Sequence, residues 1–398
     1  MSQATLELAD TLTVQLKQRL DIGLFLVVVA LIGLGLVMVA SSSIGVAEKT
    51  YHDPFHFIVR QSVYVAIGMA LAFVMYELPL RLWETMGPFL LLLSFALLVL
   101  VLIPGVGKTV NGATRWVDLA VFDIQVSEIV KLLMVMYMAG YIVRHVEAIR
   151  STLGGFFKPL AVVAALSGLL LIEPDFGASV VILLVTMGMM FLGGVRLVQF
   201  ASLFAIAAGL FAIIAVATPY RLQRLTSFLD PWADPLHTGY QLTQALIAIG
   251  SGSWFGAGLG SSIQKLFYLP EAHNDFMFAI LAEELGLVGV MTVLLLFVYA
   301  VWRAFAIGAT AERSGHLFGA YIAFGIGLWV GIQAFVNIGV NMGILPTKGL
   351  TLPFMSAGGS SMIMMCAAMG LLLRVHRETH DLKLKGVRSK GRTRKAKR

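Results

Sequence analysis

The stretch Ile22-Gly-Leu-Phe-Leu-Val-Val-Val-Ala-Leu-Ile-Gly-Leu-Gly-Leu-Val-Met-Val-Ala40 carries no charge and no strong hydrogen-bonding side chain. As a helix it reaches about 28 Å at 1.5 Å per residue, close to the roughly 30 Å of bilayer hydrocarbon. Lipid supplies no water to satisfy bare backbone, so a run of this kind crosses as a helix. Lys17 and Arg19 precede it, as they would a signal peptide, but its length and the absence of a small-residue cleavage pattern predict an uncleaved span. Comparable runs follow at Phe57–Tyr76, Met86–Ile103, Val126–Val143, Phe157–Ile172, Phe176–Gly193, Leu197–Ala217, Phe276–Trp302, Leu317–Val340 and Phe354–Leu373. Over the 398 residues, 58% are hydrophobic and 13% charged, against about 25% charged in soluble domains. A mean hydropathy of +0.87 leaves too little polar surface to cover a water-soluble core. The reading is an all-α polytopic integral membrane protein with about ten transmembrane helices.

Charge sets the orientation. With the N-terminus in the cytoplasm, 20 of the 29 Lys and Arg residues fall inside and eight outside, and Lys131 lies within a span. The expected organisation is a cytoplasmic segment 1–21, a membrane domain 22–376 with a large outer loop 218–271, and a disordered basic cytoplasmic tail 377–398. The pI near 9.5 invites a nucleic-acid reading, but much of the positive charge sits in Lys383 to Arg398. Membrane lipid is the expected partner of such a tail, and no nucleic acid is. The single cysteine, Cys366, lies in an apolar run and excludes a disulfide framework. Within the outer loop, Tyr240–Ile249 has helical spacing and predicts a helix along the membrane surface, followed by a glycine-rich stretch, Gly250–Gly260, read as a flexible hinge.

Several polar residues need a reason. Asp275 stands just before a helix long enough to lift it to the outer headgroup level; the plain alternative is a helix N-terminal acid favoured by the dipole. Glu283 and Glu284 follow about two turns further in, as a functional or a structural pair. Glu128 and Lys131, three apart, share a helix face, for packing or for chemistry. Arg115 in Asn111-Gly-Ala-Thr-Arg-Trp116 is an interfacial anchor or a ligand contact, and Asp175 in Glu173-Pro-Asp-Phe-Gly177 reads first as a helix cap. Carboxylates beside cations at a lipid surface suit chemistry on a lipid-pyrophosphate sugar. A carboxylate takes the proton of an attacking hydroxyl, while Arg, Lys or a divalent cation such as Mg2+ or Mn2+ stabilises the departing pyrophosphate. The chain has no P-loop, His/Cys metal cluster or G-x-S-x-G. These residues alone leave a transporter and an interfacial enzyme both open.

Asn337, Gly343-Ile-Leu-Pro-Thr-Lys-Gly-Leu350 and Pro353-Phe-Met-Ser-Ala-Gly-Gly-Ser-Ser361 resemble the signature of the SEDS family (shape, elongation, division and sporulation). Asn111–Trp116, Glu128 with Lys131, Glu173–Gly177 and Leu269–Phe278 match further family motifs in order, so the resemblance runs from the first span to the last. It implies polymerisation of peptidoglycan from lipid II on the outer face of the bacterial inner membrane. A class B penicillin-binding transpeptidase and other divisome membrane proteins are the implied partners. Asp275 corresponds to the family's essential acid, and Arg115, Glu128, Lys131 and Asp175 to positions lining its central cavity. Arg221, Lys265 and His273 complete the candidate substrate contacts. Lys265-Leu-Phe-Tyr-Leu-Pro-Glu-Ala-His273 is more similar to the division branch, which works at the septum, than to the elongation branch. A lipid II flippase and a non-catalytic division scaffold are the rival readings.

Overall fold

The computed structural model describes residues 20–395 apart from 111, 119–122, 197, 203, 207–208, 210–212, 214–227 and 347–348. In chain order the elements are α1 (Ile22–Tyr51), α2 (His56–Glu77), α3 (Leu80–Thr85), α4 (Gly87–Leu102), β1 (Gly107–Val110), β2 (Ala113–Asp118), β3 (Asp123–Gln125), α5 (Val126–Arg144), α6 (Val146–Ser151), α7 (Leu153–Ile172), α8 (Phe176–Leu192), α9 (Tyr240–Ser251), α10 (Met277–Arg313), α11 (Leu317–Asn341) and α12 (Gly359–Lys395). Seven of the described helices are long and apolar enough to cross a membrane, and α4 and α8 are shorter apolar helices. The run Leu197–Ala217 lies largely outside the described residues, as does Arg221.

Burial separates the centre from the rim. In α5, α11 and α12 most of the apolar window is buried (89%, 72% and 83%), whereas α2 and α10 bury 17% and 22% and turn the rest outward. Without water to avoid, close approach in lipid comes from small residues. Gly359 has the Tyr64 ring 2.6 Å from where its Cβ would stand, and Gly35 has the Met355 backbone at 2.5 Å. Both positions admit only glycine without a shift.

Element ends differ from the hydropathy reading for local reasons. Helix α1 runs on past Ala40 to Tyr51 because Ser41 and Ser42 are satisfied inside: Ser42 Oγ donates to Met38 O at 2.7 Å and Ser41 Oγ reaches the Glu284 carboxylate at 2.7 Å. The last helix starts at Gly359 rather than Phe354, since Phe354 has φ 63° and Ser356 accepts from Leu352 N at 2.9 Å in a tight turn. Its backbone stays helical to Lys395, where the composition predicted disorder. Lys and Arg are good helix formers, and a nucleated helix extends at one hydrogen bond per residue.

The loop before α5 holds an antiparallel sheet of order β1-β2-β3, which periodicity did not reveal because each strand is short. Trp116 pairs with Lys108 on one side and Gln125 on the other. Lys108 Nζ lies 3.0 Å from Asp123, and Ser360 Oγ of α12 accepts from Gln125 N at 2.8 Å. The sheet is thereby fixed over the end of α5 and presents Arg115.

Candidate active site

Helix α11 carries Gln333, Asn337 and Asn341, spaced four apart and therefore on one face. All three are 1% exposed or less. Gln333 Oε1 accepts from Lys131 Nζ at 2.8 Å and from Trp329 Nε1 at 2.9 Å, while its Nε2 donates to Thr351 O at 3.1 Å. One turn on, Asn337 Nδ2 donates to Leu350 O at 2.6 Å and to Asp275 O at 2.9 Å. A further turn on, Asn341 Nδ2 also donates to Asp275 O at 2.9 Å and its Oδ1 accepts from Ala279 N at 3.2 Å. This ladder ties the Lys131 ammonium, the 349–361 segment and the backbone of Asp275 into one frame.

Asp275 does not cap α10: the helix starts without a side-chain cap, and among the described residues no donor meets the Asp275 carboxylate. Its Oδ2 stands 3.1 Å from where a Gly349 Cβ would be. Burial, and then the neighbouring Glu271 charge, push this carboxyl up to about 7, against the opposing pull of Arg115. The group thus exchanges its proton near neutrality, as a general base does.

Arg115, Asp175, Glu128 and Lys131 form further polar contacts around the starts of α5 and α8. Asp175 caps a helix, as expected, and also faces a cation. Its Oδ1 caps α8 through Ala178 N at 3.2 Å and faces Arg115 Nη1 at 3.7 Å. Its Oδ2 accepts from Ser127 Oγ at 2.6 Å and Gln125 Nε2 at 2.9 Å. Lys131 and Glu128 form a buried pair at 2.8 Å, with the Lys131 ammonium over the Trp329 ring. Glu128 Oε2 and Arg115 Nε are buried without a hydrogen-bond partner, capacity that a polar ligand can use.

Two further candidate contacts, Lys265 and His273, have partners within the protein. Lys265 is committed inside the protein, 2.7 Å from Glu284 and 2.9 Å from Ser41 Oγ. With Glu283 accepting from Ile263 N at 2.9 Å, it forms a clasp holding the outer loop to α1 and α10. Lys265 and the two glutamates therefore each have a partner within the protein. His273 is buried, with its ring 4.6 Å from Phe57, and burial holds it below its ordinary pKa despite Glu271. Its carbonyl accepts from Ala357 N at 3.0 Å, so it joins the loop to the 353–361 turn. Among the described residues no three His, Cys, Asp or Glu side chains gather at a metal-holding spacing. A divalent cation held by Asp275 would draw most of its oxygens from pyrophosphate and water, as Mg2+ commonly does.

Residues 22–381 match the FtsW/RodA/SpoVE family of cell cycle proteins. The chain belongs to this family. Among its relatives, a probable peptidoglycan glycosyltransferase FtsW from Thioalkalivibrio sulfidiphilus is 59% identical over 95% of this chain and 94% of its own length. That from Coxiella burnetii is 50% identical over 91% and 97%. A solved chain from work on how a peptidoglycan synthase complex coordinates polymerization and crosslinking superposes with a TM-score of 0.73 at 31% identity, over 90% of this chain and 98% of that one. The rod-shape-determining protein RodA of Thermus thermophilus gives 0.66 at 30%, over 90% and 97%. The SEDS resemblance and its division branch are borne out.

Glu173 is a family-motif residue whose placement sequence reasoning did not anticipate. It is fully buried in the turn between α7 and α8, with neither carboxyl oxygen hydrogen-bonded. Burial, then the Asp175 charge, push it up to about 8. A group whose folded pKa is raised adds stability below its ordinary 4.5 and loses it as pH rises toward the folded value. Glu173→Gln is therefore expected to melt like the parent chain at pH 5 and a few degrees higher at pH 8.5, measured by intrinsic-fluorescence melting. An equal shift at both pH values would refute the burial account.

Proposed function

We propose that Asp275 is the general base with which this chain polymerises lipid II on the outer face of the bacterial inner membrane. The chain is a peptidoglycan glycosyltransferase. In the proposed reaction the Asp275 carboxylate removes the proton of an acceptor sugar hydroxyl as that oxygen attacks the anomeric carbon of an undecaprenyl-pyrophosphate-linked donor. The new glycosidic C–O bond forms as the bond to pyrophosphate breaks, and the leaving group departs with its electron pair. Arg115 and Lys131 are cations among the described residues that can balance the pyrophosphate charge. The single observation that carries the reading is an acid with no donor among the described residues, raised to about 7, whose backbone is gripped by two asparagines.

The expected setting is a ten-span protein with both termini cytoplasmic, acting at the division septum with a class B penicillin-binding transpeptidase and other divisome membrane proteins. The test is lipid II polymerisation by the purified chain and its transpeptidase partner in detergent, where no flipping occurs. Glycan strands are expected; their absence with a demonstrably folded pair would favour the flippase or scaffold reading. Truncation after Leu382 removes only cytoplasmic charge in this topology. It is expected to leave the detergent rate within about twofold, since surface changes remote from a site are near neutral. Loss of most activity would count against the topology.

A further inference from the structure

Helix α10 is broken at Gly286, where φ is 63° and ψ −163°. An unbroken helix would pair Leu287 N with Glu283 O and Val288 N with Glu284 O. Instead, a segment of the outer loop takes all four groups. Leu287 N donates to Ser253 O at 3.0 Å and Val288 N to Trp254 O at 3.1 Å, while Ala257 N donates to Glu283 O at 2.9 Å and Gly258 N to Glu284 O at 3.1 Å. The stretch Gly250–Gly260, expected to be a hinge, is thus docked backbone to backbone. Glycine makes that approach feasible: a Cβ on Gly256 would stand 2.1 Å from Glu284 O, and one on Gly286 2.3 Å from Gly256 N.

Such complete replacement of lost helical bonds is what a site without water demands. The depth agrees. Trp302, exposed and with Arg303 beside its ring, marks the cytoplasmic headgroup boundary of α10. From there to Val288 is about 21 Å at 1.5 Å per residue, less than the roughly 30 Å of hydrocarbon. The exposed residues Val288, Met291, Leu295 and Val298 form an apolar stripe down this helix. At its upper end the docked tip presents Trp254, 68% exposed, and Phe255, 81% exposed. We propose that Ser253–Gly258 is a re-entrant tip whose Trp254 and Phe255 sit among the acyl chains of the outer leaflet. The outer loop is then pinned to the bilayer on one side of the Lys265 clasp, and Asp275 follows on the other.

The full chain, reconstituted in phosphatidylcholine vesicles with bromines on the upper acyl carbons, is compared with its Trp254→Phe variant. The fluorescence difference, which isolates Trp254, should be quenched by brominated lipid and resist aqueous acrylamide. Quenching by acrylamide but not by bromolipid overturns the proposal. Shielding from both, which assigns the tip to a protein contact, overturns it as well. A second measurement introduces Phe255→Cys into a Cys366→Ala background. Its labelling by a membrane-impermeant maleimide should be about tenfold slower than that of Glu271→Cys in the same background, because the thiolate needed for reaction is suppressed in hydrocarbon. Equal rates contradict the placement.

Discussion

Asp275→Asn should reduce lipid II polymerisation by about 10²–10⁴-fold, the usual contribution of a general base, while leaving folding and transpeptidase binding intact. The amide keeps the shape of the side chain, and the backbone carbonyl that Asn337 and Asn341 hold is unchanged. What disappears is the ability to accept a proton. Because the carboxylate meets no donor among the described residues, no internal hydrogen bond is broken, and the melting temperature should not fall. Removing a buried, raised acid should even stabilise the chain above pH 7, since the charged form is the costly one. Activity within about threefold of the parent chain would remove Asp275 from the role of base.

Lys131→Met should abolish activity and lower the yield of folded protein. The ammonium lies 2.8 Å from Glu128 and 2.8 Å from Gln333, and the methionine would leave the Glu128 carboxylate buried and uncompensated. Breaking one side of a buried pair typically costs about 3–5 kcal/mol. Glu128→Gln in the same chain removes the stranded charge and should restore yield. It should not restore polymerisation, because Arg115 would then face the pyrophosphate without the second cation. Full recovery of activity in the double variant would show that the pair serves packing alone.

The spans were legible because hydrocarbon imposes a single requirement, internal satisfaction of the backbone, and hydropathy reports it directly. Helix ends were less so. Helix α10 continues to Arg313, beyond the expected Trp302, since past the headgroups polarity no longer argues against a helix. The break at Gly286 left no mark, because an isolated glycine in an apolar helix is ordinary. Only the docking of residues 253–258 gives it meaning.

At the site, Asp275, Glu128 with Lys131, and Arg115 with Asp175 were all readable as polar residues at the edge of lipid. The internal partners of Lys265, Ser41 and Glu284, were not legible because they lie far from it or on another element. Asn341 and Gln333 were missed although the signal existed: polar residues at 333, 337 and 341 repeat every four positions in an apolar span. Such a stripe in a membrane helix has to face other protein groups.

The central claim is that the Asp275 carboxylate must be unprotonated when the acceptor hydroxyl attacks. The most direct measurement is the rate of glycan-strand formation from lipid II against pH, by the purified chain with its transpeptidase partner in detergent. With a carboxyl at about 7, kcat/KM should be level in mild alkali and fall toward a tenfold loss per pH unit on the acid side. A profile that stays flat from about pH 5 to 8, where a free base of this pKa must titrate, would contradict the account.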